Sequence, residues 1–215
     1  MKTLKISHSF VLAVLFLISS CSKNDDSTII SENPNGVGML SFGTVPVVNS
    51  RSVGTVIAYK QMDCSKSLKM VRIALKDSQG NCFYGNSKSG FHEFEMSPNG
   101  YDTNNDAILD TWNTVEDKKL MLPVGTYTLE YFAVLNNSGK DSQIIMMAPR
   151  KGNEDNPIQL NTLVSNSLPL EINIREGLEH YLPIEVLCFT RDQANVFGFY
   201  FIEYDDPDPF YLCSI

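Results

Sequence analysis

The sequence predicts an all-β protein, an antiparallel β-sandwich, and three observations carry this prediction. Apolar residues alternate with polar ones in several segments, as at Val71, Ile73 and Leu75. This alternation is typical of a strand with one buried and one solvated face, the usual arrangement in antiparallel sheets. Segments rich in Gly, Pro, Asn and Asp separate the alternating runs, and no long stretch carries the apolar periodicity of a helix.

The expected strands follow one another at short spacing along the chain. They cover residues 38–47, 54–60, 71–76, 82–86, 91–96, 126–131, 143–148, 170–175, 181–189 and 196–203. Turns are expected at 77–81, 98–100, 123–125, 136–139 and 151–153. Many short strands at this spacing favour a β-sandwich.

Two of these strands carry side chains of functional interest. In the first, alternation places His92 opposite Phe91 and Phe94, and therefore towards solvent. In the second, residues 197–202 are apolar on both faces, which is typical of a central sandwich strand. The alternative is an exposed aromatic face that stacks on sugar rings or docks a partner.

Composition and charge exclude one class of partner. The chain has 215 residues, 43% of them hydrophobic and 20% charged, which is typical of a globular protein. The formal net charge is −8 at pH 7 and the isoelectric point is about 4.8. Because nucleic-acid binding needs a basic surface, we expect no nucleic acid as a partner.

The N-terminus has the three parts of a secretory signal. Lys2 and Lys5 supply a positive region, residues 10–18 are an unbroken apolar run, and Ser19 and Ser20 are the small residues that a signal peptidase requires. The apolar run is too short to span a membrane as a mature helix. Removal of residues 1–20 takes away two lysines and no acidic residue, so the net charge falls from −8 to −10.

The residue after this signal is Cys21, and the segment 18–21 resembles the lipobox of bacterial lipoproteins. The resemblance implies a cysteine that is acylated, as with palmitate, and that becomes the mature N-terminus. Several acyl chains hold a protein stably on a membrane. The polar segment 22–28 resembles the export signal of surface lipoproteins of the Bacteroidota, and 26–28 resembles that phylum's O-glycosylation sequon. The alternative is an ordinary secreted protein with a plain polar tether.

These boundaries divide the chain into three parts. Residues 1–20 are interpreted as a lipoprotein signal peptide, 21–36 as the acylated cysteine and a flexible tether, and 37–215 as the β-sandwich domain. A sub-boundary within the domain is conceivable near 152–157. The region beyond it offers only three clear strands, too few for a secure core of its own, so a single domain is favoured.

A second resemblance lies within the predicted domain. Residues 122–129, with the sequence LPVGTYTL, resemble the start of a strand in immunoglobulin-like and prealbumin-like β-sandwich modules of Bacteroidota lipoproteins. In physical terms, Gly125 allows a tight turn and Tyr127 begins a buried face. Many such modules have no assigned activity, and some are fimbrial or polysaccharide-handling components. The resemblance therefore implies the fold far more than a function.

The best candidate for a metal site is the segment 102–113, in which oxygen-bearing side chains recur at short intervals. The segment is similar to thrombospondin type-3 and dockerin-type calcium loops, which wrap oxygen ligands around the ion. That similarity implies calcium ligands at Asp102, Asn104, Asp106, Ile108 (through its carbonyl) and Asp110. It departs from the pattern twice, since Ala107 stands in place of a turn glycine and Asn113 in place of the last acid. The alternative is a polar loop in which Asp and Asn side chains cap their own backbone.

Parts of a catalytic centre are scarce. After signal removal only His92 and His180 remain, no serine lies in a nucleophile elbow, and no zinc spacing is present. We therefore expect no catalysis. Carboxylates are numerous enough to build a glycosidase pair, so a hydrolase stays open as an alternative.

Four further cysteines are candidates for disulfides in an oxidising envelope. They are Cys64, Cys82, Cys188 and Cys213. Three pairings are possible. The pairs closest in sequence, 64–82 and 188–213, are the expectation, with a reduced and buried Cys188 as the alternative.

Together these features predict a lipid-anchored protein of the outer membrane, exposed at the cell surface or facing the periplasm. It is expected to act as a binding or assembly module. Its expected contacts are the membrane, through the lipid, and a glycan or another envelope protein; calcium is the candidate cofactor. The alternatives are a carbohydrate-active hydrolase of the envelope and a fimbrial or assembly subunit, which would use an unpaired strand edge.

Overall fold

Nine strands and one short 3-10 helix form the described part of the protein. The computed structural model describes residues 36–47, 64, 67–85, 89–105, 107, 109–116, 119–139, 141–151, 160–191 and 196–199. The strands are β1 (Val37–Pro46), β2 (Met70–Asp77), β3 (Phe91–Glu95), β4 (Trp112–Asn113), β5 (Leu120–Pro123), β6 (Gly125–Leu135), β7 (Ile144–Met147), β8 (Leu170–Ile174) and β9 (Glu179–Cys188). The 3-10 helix covers Leu160–Leu163. Every described residue belongs to one compact unit, Glu32–Ile215.

The strands form one curled, mixed sheet. Their order is β3-β2-β6-β7-β9-β1-β4, with β5 paired to β1 and β8 paired to β6. The two ends of this path approach each other, since Met96 bridges Thr114 and the Val115 amide donates to the Glu95 carbonyl at 2.8 Å. The result is a half-barrel.

One pairing departs from the antiparallel arrangement that the sequence predicts. Strands β1 and β9 run parallel, with Met39 opposite Glu179 and Pro46 opposite Val186. A parallel pair needs a long connection, and here nearly the whole domain lies between the two strands. Alternation of apolar residues does not distinguish a parallel from an antiparallel strand pair. The prediction of an all-β fold is confirmed for the described residues, while the antiparallel direction is wrong for β1 and β9.

Most strand predictions agree with the structure where it describes them, and four places differ. Strands β4 and β5 were not expected. Residues 82–85 contribute only a single bridge, between Cys82 and Lys76, in place of a strand. Residues 196–199 form a turn in place of the predicted strand, and Gly198 within it has a φ of +84°. Glycine suits this position, since an added Cβ would lie 2.9 Å from the Arg150 carbonyl oxygen. The predicted strand 54–60 and residues 200–203 lie outside the described residues.

The core fills the inside of the curled sheet and is rich in aromatic rings. The ring of Phe42 lies 5.9 Å from that of Phe94 and 5.7 Å from that of Phe132, between ring centres. Phe197 and Phe199 are buried as well, at 0% and 6% exposure. The alternative of an exposed aromatic face is therefore wrong for these two residues.

The predicted turn before β6 is present. Gly125 has a φ of +155°, and Tyr127 is buried as expected. The hydroxyl of Tyr127 donates a hydrogen bond to the Pro123 carbonyl at 3.1 Å, four residues upstream. Burial, followed by the nearby Asp77 carboxylate, raises the pKa of Tyr127, so this hydroxyl stays protonated and able to donate.

His92 is not exposed, which corrects the prediction for β3. Its exposure is 9%, its ring stacks on that of Phe83, and its Nε2 lies 3.0 Å from the Phe83 carbonyl oxygen. Residues two apart share one face of a strand, so His92 lies on the same side of β3 as the buried Phe94, and Phe91 on the other side is buried as well.

The disulfide pairing also differs from the expected one. Cys64 is bonded to Cys188, with the two Cα atoms 5.8 Å apart and a sequence separation of 124. The expected pairs 64–82 and 188–213 are therefore wrong. Cys82 is disulfide-bonded too, and its partner lies outside the described residues. Distance along the chain is a poor guide because curling of the sheet brings remote segments together.

Candidate functional site

A groove of about 520 Å³ lies beside β1 and β9, next to the turn after β3. Its polar and aromatic lining includes Ser41, Tyr101, Asn113, Lys119, Glu179 and Tyr181. The volume falls within the range of small-molecule sites in proteins. Among the described residues this groove is the best candidate for a functional site.

The parallel pair β1–β9 builds the floor of the groove. Ser41 lies opposite Tyr181 in this ladder, and Met39 lies opposite Glu179. Paired residues share one face of a sheet, and Ser41 alternates with the core residues Leu40 and Phe42. Ser41, Glu179 and Tyr181 therefore lie on the face opposite to the core.

An ion pair with a hydroxyl partner fixes the polar side of the groove. Lys119 Nζ donates to Glu179 Oε2 at 2.7 Å, and Ser41 Oγ donates to Glu179 Oε1 at 3.1 Å. Lys119 Nζ also lies 3.9 Å from Glu116 Oε1. The hydrogen bonds from Lys119 and then Ser41 lower the pKa of the Glu179 carboxyl, so this group is charged at neutral pH.

Two tyrosines form the aromatic side of the groove, and both are about half exposed. The exposure is 50% for Tyr101 and 48% for Tyr181. Tyr181 Oη donates to Asn113 Oδ1 at 2.8 Å. A Cβ at Gly43 would overlap the Tyr181 hydroxyl. The Tyr181 ring can therefore lie over β1 only because residue 43 has no side chain. Burial, followed by the neighbouring Tyr101, raises the pKa of Tyr181, which keeps its phenol protonated.

In the described part of the predicted calcium loop, the Asp102 and Asp110 carboxylates accept hydrogen bonds from groups within the loop. Asp102 Oδ2 accepts a hydrogen bond from the Ala107 amide at 2.8 Å, and Ala107 has a φ of +68°. Both oxygens of Asp110 accept from Thr103, which lowers the pKa of Asp110 chiefly through the Thr103 hydroxyl. Such self-capping is what the alternative interpretation, a polar loop, expects.

The remaining residues of that loop do not complete a site within the described part of the chain. Asn104 is exposed, and Asp106 and Ile108 lie outside the described residues. Asn113, at the last position of the calcium pattern, instead accepts the Tyr181 hydroxyl in the groove. The described residues contain no group of three or more His, Cys, Asp or Glu side chains suited to a metal.

The other predicted sites lie elsewhere. Cys21 and Cys213 are outside the described residues. Where the structure describes the chain, no helix has the length and apolar character needed to cross a membrane. His180 accepts a hydrogen bond at Nε2 from the Arg175 amide at 3.0 Å and lies apart from His92, which bonds to Phe83.

Sequence reasoning missed the groove. Its residues come from β1, the turn after β3, β4, the segment before β5 and β9, so no local motif contains them. One signal was present, since Ser41 and Gly43 interrupt an apolar strand with small residues. A glycine within a strand often marks the close approach of another group, which here is the ring of Tyr181.

Comparison with known proteins gives little further information. No family model matches the chain, and no curated protein matches it. A leucine-rich repeat protein from Bacteroides thetaiotaomicron, known from a crystal structure, has 12% sequence identity and a TM-score of 0.38 to this chain. The match covers 71% of this chain and 14% of that protein. A structural similarity with so low a TM-score assigns neither a fold nor a function to this chain.

Proposed function

We propose that this chain is a lipid-anchored protein of the outer membrane, displayed at the cell surface, that binds a ligand in the groove and does not catalyse a reaction. One observation carries the binding function. Two half-exposed tyrosines stand beside a fixed set of polar groups in a groove of about 520 Å³. Exposed aromatic rings rimmed by polar groups are typical of binding surfaces.

Separate features support the proposed lipid anchor and the proposed relation of the fold to β-sandwich modules. The signal-like segment 1–20 followed by Cys21 supports lipidation. The bond from the Tyr127 hydroxyl to the Pro123 carbonyl is the type of contact made by the tyrosine corner of immunoglobulin-like sandwiches. It supports the proposal that this half-barrel is a variant of the sandwich modules that residues 122–129 resemble.

Binding is favoured over hydrolysis by the state of the carboxylates. Glu116 and Glu179 both line the groove, which a glycosidase would require of its two acids. The general acid of such a pair needs a raised pKa, and Glu179 does not suit that role, because the hydrogen bonds from Lys119 and then Ser41 lower its pKa. Lys119 lies between the two carboxylates in contact distance of each, so they serve to neutralise a lysine.

The two ends of the strand path do not favour assembly by strand addition. A subunit that accepts a donated strand needs a free sheet edge. Here β3 and β4, the ends of the strand path, meet through the Met96–Thr114 bridge and the hydrogen bond from Val115 to Glu95. These backbone groups are therefore already paired within the molecule.

A binding measurement with two tyrosine variants tests the proposal. Full-length protein in detergent is immobilised, and the polysaccharide and protein fractions of the producing cell's envelope are passed over it in separate runs. We expect one fraction to bind and Tyr181→Ala to weaken that binding at least about tenfold, the usual loss at a central aromatic contact.

Tyr84→Ala is the matched control, because Tyr84 is 46% exposed and does not line the groove. This variant should bind like the wild type. The proposed function is contradicted if neither fraction binds, or if Tyr181→Ala binds both fractions as well as the wild type does. A thermal melt of each variant confirms that the fold is retained.

A further inference from the structure

We propose that the ligand of the groove is a neutral glycan, with a sugar ring against Tyr101 and Tyr181 and its hydroxyl groups bonded by the polar side of the groove. This inference rests on the proposed function and names the ligand class for the same site. Three features of the groove carry it: its aromatic surface, its mixture of donors and acceptors, and its charge.

The aromatic surface suits the apolar face of a sugar ring. A pyranose has a face of C–H groups that packs on an aromatic ring, while its hydroxyl groups point outwards at the edges. Tyr181 is fixed for this contact by its bond to Asn113 and by its place over Gly43. A fixed ring loses little conformational entropy on binding, which favours affinity.

The second tyrosine extends this surface. Tyr101 and Tyr181 both line the groove, and each is about half exposed. The backbone holds Tyr101 in place, since its amide donates to the Thr111 carbonyl at 2.7 Å and its carbonyl accepts from the Asp110 amide at 2.8 Å. Two aromatic rings in one groove can contact more than one sugar unit.

The polar side of the groove offers both kinds of hydrogen-bonding group. Each sugar hydroxyl donates one hydrogen bond and accepts others, so its site needs donors and acceptors close together. The Lys119 ammonium is a donor and the Glu179 carboxylate an acceptor, 2.7 Å apart. Bonds to charged groups are the stronger ones, and such a pair can bind two adjacent hydroxyls of one ring.

The charge of the groove selects against acidic sugars. Among the described residues that line the groove, Lys119 carries the only ammonium, which is paired with Glu179 at 2.7 Å and lies 3.9 Å from Glu116. These three groups sum to one negative charge at neutral pH. From these described groups an anionic sugar such as a uronate would meet two carboxylates and one cation already paired, whereas a neutral sugar meets no such repulsion.

The experiment measures retardation of the full-length protein in native gels that contain nonionic detergent and one polysaccharide each. The neutral polymers are amylose, mannan, xylan, galactan and β-1,3-glucan, and the acidic one is polygalacturonate. We expect at least one neutral polymer to retard the protein and polygalacturonate to have no effect. Tyr101→Ala and Tyr181→Ala should each lower the affinity at least about tenfold, and Tyr84→Ala should leave it unchanged.

Three results would overturn the inference. They are the absence of retardation by every neutral polymer, a preference for polygalacturonate, and equal retardation of the wild type and both groove variants. Failure here is distinguishable from failure of the proposed function. If the envelope protein fraction binds in a Tyr181-dependent manner while no neutral polymer does, the groove is a binding site for protein and only the glycan inference fails.

Discussion

Arg150 and Glu130 form an ion pair at the edge of the core, with side-chain exposures of 26% and 11%. Arg150 Nη1 also donates to the Glu130 carbonyl at 3.2 Å. Glu130 Oε2 has no well-directed hydrogen bond although the guanidinium is in contact with it, so charge attraction, not bond geometry, compensates its burial. The cost of removing one partner should therefore far exceed that of removing both.

We predict that Arg150→Met lowers the free energy of unfolding by about 3 kcal/mol, because it leaves the Glu130 carboxylate buried without its cation. Urea denaturation measures the loss. The matched control is Lys151→Met at the exposed neighbouring position, expected to change stability by less than about 0.5 kcal/mol. The double variant with Glu130→Gln should recover part of the loss. Equal midpoints for Arg150→Met and Lys151→Met would contradict the prediction.

At the residue scale, the sequence predicts burial well only where one face of a strand is solvated. Tyr127 was expected to be buried and is, because β6 begins with one face open to solvent. His92 was expected to be exposed and is buried, because it shares the core face of β3 with Phe94, lies opposite the buried Ile73, and stacks on the ring of Phe83. A polar side chain is accommodated there by the Phe83 carbonyl, and no pattern within β3 reveals that partner.

At the scale of elements, the loop 102–113 carries the hypothesis of calcium binding. A ligand that binds only the folded state raises its melting midpoint. The carboxylates of Asp102 and Asp110 already accept hydrogen bonds from Ala107 and Thr103, so we predict the same midpoint in millimolar calcium and in excess chelator. A rise of several degrees with calcium, lost in Asp110→Ala, would contradict this prediction and restore the metal site.

The disulfide between Cys64 and Cys188 joins the end of β9 to the segment before β2. A bond across 124 residues restricts the unfolded chain strongly, so replacing both cysteines by serine should lower the free energy of unfolding by about 4 kcal/mol. Urea denaturation measures the change. Mass spectrometry of a non-reduced digest gives the pairing independently. A linked peptide joining Cys64 to Cys82 would contradict the structure.

At the scale of the whole molecule, strands are predictable from sequence while their partners are not. Alternation identifies β2 and β8 because each has one packed face, a property of the strand by itself. The parallel pairing of β1 with β9 depends on the path of the chain between them. The groove depends in turn on that pairing, since Ser41 and Tyr181 lie side by side only in the parallel register.

The position of the groove bears on the proposed lipid anchor. Described residues of the domain begin at Gly36, whose carbonyl accepts from the Val124 amide at 2.9 Å. Met39 and Ser41 follow on the same face of β1, so the predicted tether would lead into the strand that forms the groove floor. A ligand bound there would be held near the membrane only if residue 21 carries lipid.

We therefore predict that Cys21→Ala moves the protein from the membrane fraction to the soluble fraction of the cell envelope while the groove keeps its ligand. Each buried methylene of an acyl chain contributes about 0.8 kcal/mol to membrane attachment, so loss of all the chains removes the anchor altogether. Fractionation followed by immunoblotting measures the change, and Ser22→Ala, one residue along, is the control that should stay with the membrane. If the Cys21→Ala protein stays there too, the attachment does not come from lipid on this cysteine. If it is released and also loses its ligand, the groove and the anchor are not independent parts of the molecule.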